Sequence, residues 1–258
     1  MMNIVAVVRL VPDLVEQLVV NPEEDNLDWD QTALTLNESD DHALEEALLL
    51  KEKHHGQLTV VAFDCGEIDQ VLYMAVAKGA DRIIKIAWPH PEPPNSVEMV
   101  GALGRLVPTL QADLVVMGCQ SQTEFLGMAA AQLAASLGWP YVGVVRGVQN
   151  QAGGGRWKVF KEYPGAVLAE MEVQLPAVMG ILTASQPPRY VPVSRIRAAS
   201  QTARFETIDG MAKPEESAVN IRRVYLTPAT SHAEMLKGTE EEVARRLVDL
   251  LVERGVLK

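Results

Sequence analysis

Short β-branched runs alternate with amphipathic segments through the first half of the chain. Ile4–Val8 has the continuous apolar character of a strand buried on both faces. Asp40–His55 is predicted to be a helix, with Leu44, Ala47, Leu48 and Lys51 following one another along one side at spacings of three and four. Asp40 and Asp41 at its start, and Lys51, Lys53 and Gly56 at its end, match the helix dipole. Further strands are predicted at Leu58–Phe63, Arg82–Ala87 and Leu114–Met117. Further helices are predicted over Ile68–Lys78, stopped by Gly79, over Val97–Leu110, and over Glu124–Leu137, stopped by Gly138 and Pro140. Pro-rich Trp88–Asn95 reads as a loop. This order implies an α/β fold, a doubly wound and mostly parallel sheet with helices on both faces and right-handed crossovers.

The pattern then changes. Val142–Val148, Trp157–Lys161 and Ala166–Leu175 read as strands without intervening helices, with Gly153–Gly155 as a turn, so an antiparallel flap is expected at 142–175. Ala177–Leu182 returns to a buried strand and closes a domain over 1–183. Residues 184–238 carry Arg189, Arg195, Arg197 and Arg204 with little periodicity, and read as a loop and extended arm that is either mobile or packed on a partner. Thr239–Glu242 is a capping box, and Val243, Leu247, Leu250 and Leu251 give 239–258 one apolar helical face. Such a face needs a surface to dock on, in its own domain or on another subunit.

Composition narrows the classes. At 258 residues, 48% hydrophobic, the chain is not intrinsically disordered. A net charge of −11 opposes nonspecific binding to nucleic acid or anionic membrane. No apolar run reaches the ~20 residues of a membrane span, and the first residues lack the basic start of an export signal. Two cysteines give no disulfide framework and suit a reducing cytoplasm.

In such a sheet, ligands bind beyond the carboxyl ends of the strands. The loops Arg9–Asp13, Asp64–Glu67 and Gly118–Glu124 are expected to line one cleft, with Asn37–Asp41 nearby. Gly66 and Gly118 permit close backbone approach. Helix starts at Glu67 and near Glu124 offer N–H groups to a phosphate, although both glutamates put negative charge there. The P-loop, the G-x-G-x-x-G turn, the G-x-S-x-G elbow and the S-G-G-x-D-S loop are all missing. Cys65 and Cys119 each follow a strand, as a redox pair or as small lining residues. His54-His55 is a poor chelating pair, because adjacent helical residues point apart.

A set of short motifs, specific through their order and spacing, resembles the β subunit of electron-transfer flavoproteins over nearly the whole chain. They are Val7-Val-Arg-Leu-Val-Pro-Asp13, Asn37 with Ala43-Leu-Glu-Glu-Ala47 and Leu50-Lys-Glu52, Cys65-Gly66 and Gly79-Ala-Asp-Arg82. Asp113-Leu-Val-Val-Met-Gly118, Gly138-Trp-Pro140, Leu175-Pro-Ala-Val178 and Pro188-Arg-Tyr190 follow.

The resemblance implies a non-catalytic half of an electron carrier. It would pair with an α subunit that holds most of the FAD, take electrons from dehydrogenases of the acyl-CoA type, and pass them to a quinone oxidoreductase or another acceptor. Nucleotide-contacting positions of the family fall on Val7, Asn37, Glu38, Ser39, Asp40, Cys65, Gly118, Cys119, Gln120, Thr123, Gly127 and Ala129. Many members hold AMP there, and bifurcating members a second FAD. This chain has Gly118-Cys119-Gln120 and Thr123-Glu-Phe-Leu-Gly-Met-Ala129 where relatives carry a Lys and polar phosphate donors, so AMP, FAD and an empty or repacked cleft all stay open. Leu14 and Ser39 fall on the FAD-side wall, where relatives often have aromatic residues. Partner recognition falls on Arg189, Val193, Arg195 and Arg197, with Val193 as the aliphatic anchor. Glu162 falls on the flap glutamate that orients the mobile flavin domain. A stand-alone nucleotide-binding module of the universal-stress type fits the parallel-sheet half equally well.

Overall fold

The computed structural model describes residues 1–124, 127–150, 156–209, 221–227 and 235–257. In chain order the first half forms β1 (Asn3–Val7), β2 (Leu10–Pro12), β3 (Leu34–Leu36), α1 (Glu38–His54), β4 (Gln57–Phe63), α2 (Ile68–Lys78), β5 (Arg82–Ala87), α3 (Ser96–Thr109), β6 (Leu114–Gly118) and α4 (Ala129–Leu137). The second half forms β7 (Tyr141–Asn150), β8 (Arg156–Tyr163), β9 (Val167–Gln174), β10 (Ala177–Ile181), α5 (Val193–Thr202), β11 (Glu206–Asp209) and α6 (Glu240–Glu253).

Nine strands make one sheet in the order β11-β5-β4-β1-β6-β10-β7-β8-β9. Every neighbouring pair from β11 to β7 is parallel, while β7–β8 and β8–β9 are antiparallel. The doubly wound sheet with an antiparallel flap is therefore present. After β1 the chain adds β4 and β5 on one side, then returns to place β6 on the other, which makes the β1/β6 boundary the switch point.

The period of two along β1 sorts its side chains into two layers. Ile4, Ala6 and Val8 pack with Leu44 and Leu48 of α1 and Leu72 of α2. Val5 and Val7 pack with Leu103 and Val107 of α3 and Leu133 of α4. Each leucine so buried contributes roughly 1.5–3 kcal/mol, so the helical layers hold the short strands in place. The flap buries one face, through Val145, Val148, Trp157, Val159 and Val173 against the α1 layer, and leaves Val167, Leu168 and Met171 exposed. His54 sits edge-on to Trp157 at 4.9 Å, and burial lowers its pKa, so it is not simply a solvated helix end. No cluster of three metal-ligating side chains occurs among the described residues.

Three segments depart from the sequence reading. Arg9–Asp13 is not a free loop, because Leu10–Pro12 pairs antiparallel with Leu34–Leu36. The last helix of the parallel half starts at Ala129 rather than Glu124, because Gly127 has φ +58°, which no α-helix can run through. Residues 184–209, expected as part of an extended arm, contain α5 and β11. Around α5 the inward side is Val191, Ile196 and Ala199, packed on Val76 and Ala77 of α2, too sparse a stripe to register as periodic, and Phe205 and Ile208 follow with inward contacts of their own. β11 then extends the sheet beside β5, where Arg82 and Glu206 pair at 2.6 Å. The Gly153–Gly155 turn lies outside the described residues.

Contacts divide the chain into a unit over Met1–Arg223 and a second over Val224–Lys258. In the second, Thr239 and Glu242 cap α6 reciprocally, as the sequence predicts. Val243, Leu250 and Leu251 are half-buried, and Leu247, Val248 and Val252 are exposed. No described helix is long and apolar enough to cross a membrane.

Candidate functional site

A cavity of about 620 Å³ opens beyond the carboxyl ends of β1, β6 and β10. Its walls are the start of α1 (Asn37, Glu38, Ser39, His42), the turn after β6 (Gln120, Ser121, Gln122, Glu124, Gly127), and Leu182 and Thr183 after β10. The β2–β3 pairing returns the chain to β1, so that the Asn37 N–H donates to the Arg9 carbonyl at 2.9 Å. Asn37 Nδ2 and Ser39 Oγ both donate to the Gln120 carbonyl, at 3.0 and 2.8 Å. These two bonds clamp the start of α1 to the turn after β6.

Beneath this wall lies a buried charge cluster. Asp40 is fully buried, and its Oδ1 accepts from Gly118 N at 2.6 Å and from Arg9 Nη2 at 2.7 Å. Its Oδ2 accepts from Arg9 N at 2.9 Å and from Arg9 Nε at 2.8 Å. Arg9 Nη2 also donates to the Gly118 carbonyl, and Nη1 donates to Glu124 Oε1. Glu124 Oε2 in turn accepts from the Ala129 N–H at 3.2 Å. A Cβ on Gly118 would lie 2.6 Å from Asp40 Oδ1 and 2.9 Å from its amide nitrogen, so only glycine lets α1 approach β6 this closely.

Of the residues singled out in the sequence, Asn37, Glu38, Ser39, Gln120 and Gly127 line the cavity. Val7, Asp40, Gly118 and Ala129 are buried behind it. Cys65 and Thr123 line a separate crevice of about 10 Å³, with Arg9 and Pro93. Among the described residues, those expected to line one cleft from Asn37 to Asp64–Glu67 are divided between this cavity and this crevice, and Glu67 lines neither. Leu14 is exposed and lies outside both. Arg9, His42, Leu182 and Thr183 are additions. In the sequence Arg9 stands out only as the first residue of a loop and as part of the Val7–Asp13 motif, Leu182 only as the end of a predicted strand, and Thr183 carries no signal.

The two cysteines are poor nucleophiles. Burial pushes the Cys65 thiol up to about 11 and raises that of Cys119 as well. Neither is a thiolate near neutral pH, which speaks against thiol–disulfide chemistry. Ellman's reagent at pH 8 is expected to leave Cys65 unreacted in the folded protein and to titrate it after unfolding in guanidinium. Stoichiometric reaction of Cys65 with the native chain would contradict this.

The segment after β10 is pinned to α1. Arg189 Nε and its backbone N–H both donate to the buried Glu45, each at 2.9 Å, and its remaining guanidinium nitrogens pair with Glu52. That hydrogen bond from Arg189 holds the Glu52 carboxyl below its ordinary range. Val193, expected on a loop, is instead the first residue of α5 and is 69% exposed. Tyr190, Arg195 and Arg197 are exposed around it. Arg189 itself faces inward to α1, unlike its neighbours. Glu162 pairs with Arg146 across the flap at 3.3 Å, with both side chains partly in solvent.

A doubly wound, mostly parallel sheet with a polar cavity at its switch point defines an α/β protein of the class that binds ligands beyond the carboxyl ends of its strands. A family model described as the electron transfer flavoprotein domain matches residues 29–215. The chain belongs to the electron-transfer flavoprotein family, a family of electron carriers. It is 28% identical to the electron transfer flavoprotein subunit beta of Methylophilus methylotrophus, over 98% of each chain. The β subunits of Bacillus subtilis (strain 168) and Homo sapiens are each 26% identical, over 97% and 98% of both chains respectively.

Proposed function

We propose that this chain is the β subunit of a heterodimeric, cytoplasmic electron-transfer flavoprotein and carries no bond chemistry of its own. The α subunit holds most of the FAD, which accepts and passes on electrons when bound. This chain completes the FAD environment with Leu14 and Ser39. It docks on α through the apolar face of α6, and its Glu162 steers the mobile flavin domain. It presents Val193, with Arg195 and Arg197, to an acyl-CoA-type dehydrogenase, and a quinone oxidoreductase or similar acceptor takes the electrons away. The observation that carries this reading is the 189–197 segment, where Glu45 and Glu52 fix Arg189 and leave Val193 projecting from a helix start. Arg189 is then a positioning residue and Val193 the contact.

The test is co-expression with the cognate α subunit. A yellow heterodimer is expected, whose flavin is bleached by a partner dehydrogenase and its substrate. Val193→Asp is expected to keep the flavin content and to slow that bleaching about thirtyfold, the effect of losing an interface anchor worth about 2 kcal/mol. An unchanged rate would remove Val193 from the interface. No complex with α, together with tight ATP binding by this chain, would replace the reading with that of a stand-alone nucleotide-binding module.

A further inference from the structure

The resemblance and the fold imply a nucleotide in the β cleft, with its phosphate cradled by the turn between β6 and α4. The residues present do not fit one. The Ala129 N–H at the start of α4 is a donor that an anion would take, and it already donates to Glu124 Oε2 at 3.2 Å. Arg9 is buried, and its guanidinium is spent on Asp40, the Gly118 carbonyl and Glu124. Glu124 is itself 9% exposed and lines the main cavity, while its partner Arg9 lines the crevice that holds Cys65.

We propose that Glu124 is a built-in substitute for the nucleotide phosphate, and that this cleft therefore takes neither AMP nor a second FAD. The carboxylate makes the two contacts that a phosphate oxygen pair would make, one to a guanidinium and one to a helix-terminal amide. A phosphate entering beside it would meet two buried carboxylates, Glu124 and Asp40, that already share one arginine. The like charges repel strongly where water is excluded. Expelling Glu124 instead would strand a buried carboxylate without its partners. The same contacts tie Asp40 on α1, Arg9 after β1 and the start of α4 into one unit without a ligand, so the switch point is assembled by the chain alone.

The inference rests on the proposed role as β subunit, and the experiment separates the two. The heterodimer with its cognate α subunit is purified, its bound cofactors are released in acid, and FAD and AMP are resolved by chromatography. One FAD and no AMP are expected, with no shift of the melting temperature on adding AMP. In the Glu124→Ala heterodimer, Arg9 Nη1 and the Ala129 N–H lose their anion. Its melting temperature is expected to fall, and to rise again with added inorganic phosphate or AMP in a saturable way that the wild type does not show. Glu124→Gln, which keeps the volume, serves where the alanine variant does not fold, and is expected to regain stability with phosphate in the same manner. Stoichiometric AMP, or two FAD, in the wild type would overturn the inference. So would a variant that phosphate and AMP do not stabilise, since Glu124 would then be an ordinary structural contact. Failure to pair with α or to bind flavin would instead overturn the subunit reading, while the AMP melting shift of this chain still reports on the cleft.

Discussion

Asp40→Ala is expected to lower the unfolding free energy by about 3–5 kcal/mol, the cost of removing one partner from a buried ion pair. Asp40 has no solvent exposure and accepts four hydrogen bonds, two from backbone amides of Arg9 and Gly118 and two from the Arg9 guanidinium. Its loss leaves both amides without an acceptor, at roughly 1–3 kcal/mol for each buried group. It also leaves Arg9 with only Glu124 and the Gly118 carbonyl. Arg9 is only 6% exposed, so its guanidinium is poorly placed to exchange Asp40 for water. Urea unfolding followed by circular dichroism measures the change directly. The midpoint should fall while the slope stays constant, because the surface exposed on unfolding is the same. A loss under about 1 kcal/mol would mean that water or a rearranged Glu124 replaces Asp40, and that the cluster is less enclosed than its geometry indicates.

Glu46→Ala is expected to have the second largest effect, about 3 kcal/mol, from the loss of charge-assisted hydrogen bonds. Glu46 Oε1 accepts from the buried Val148 N–H at 2.9 Å and from Ser185 Oγ at 3.0 Å, and Oε2 accepts from Ser185 N at 2.6 Å. The β7–β8 pairing is irregular between Val145 and Val148, and at Val148 the glutamate of α1 accepts the amide where a strand neighbour ordinarily would. Glu46→Gln distinguishes the contributions. Its amide nitrogen cannot accept, so one of the two oxygen positions is lost, and about half the effect is expected to remain. A fully stable Glu46→Ala protein would show that the flap edge and the 185 turn hold without this tie.

Both predictions concern acidic residues of α1 whose burial the sequence does not reveal: Asp40 reads there as a helix-start charge and a nucleotide-contacting position, and Glu46 only as part of a motif. Leu44, Ala47 and Leu48 stood out because three- and four-residue spacing is a local property, and the same holds for the alternation in β1, β4 and β6. Asp40, Glu45 and Glu46 are buried because of Arg9 and Gly118, of Arg189, and of Val148 and Ser185. Those partners lie 31 to 144 residues away from them in sequence, and no window along the chain contains both members of such a pair. The Ala43-Leu-Glu-Glu-Ala47 motif signalled the family without revealing this work. α5 was missed for the opposite reason, since one buried alanine in ten residues leaves almost no stripe to read. The cavity was legible at Asn37, Ser39, Gln120 and Gly127, because topology alone brings the ends of β1 and β6 together. The pairing of Arg9 with Glu124 beneath it depends on where two long side chains meet, which backbone topology does not determine.

The place of β10 constrains the order in which the molecule is completed during synthesis. β10 lies between β6 and β7, yet it leaves the ribosome after β7, β8 and β9. The two hairpin pairings of the flap are local, and can close as soon as Gln174 has emerged. They have no edge to join until residues 177–181 arrive and lay themselves along β6. Until then the growing chain carries two separate sheets, each with an open apolar edge. A single five-residue strand, Ala177–Ile181, welds them, and a nascent chain stalled before it would hold the parallel half and the flap as unconnected pieces.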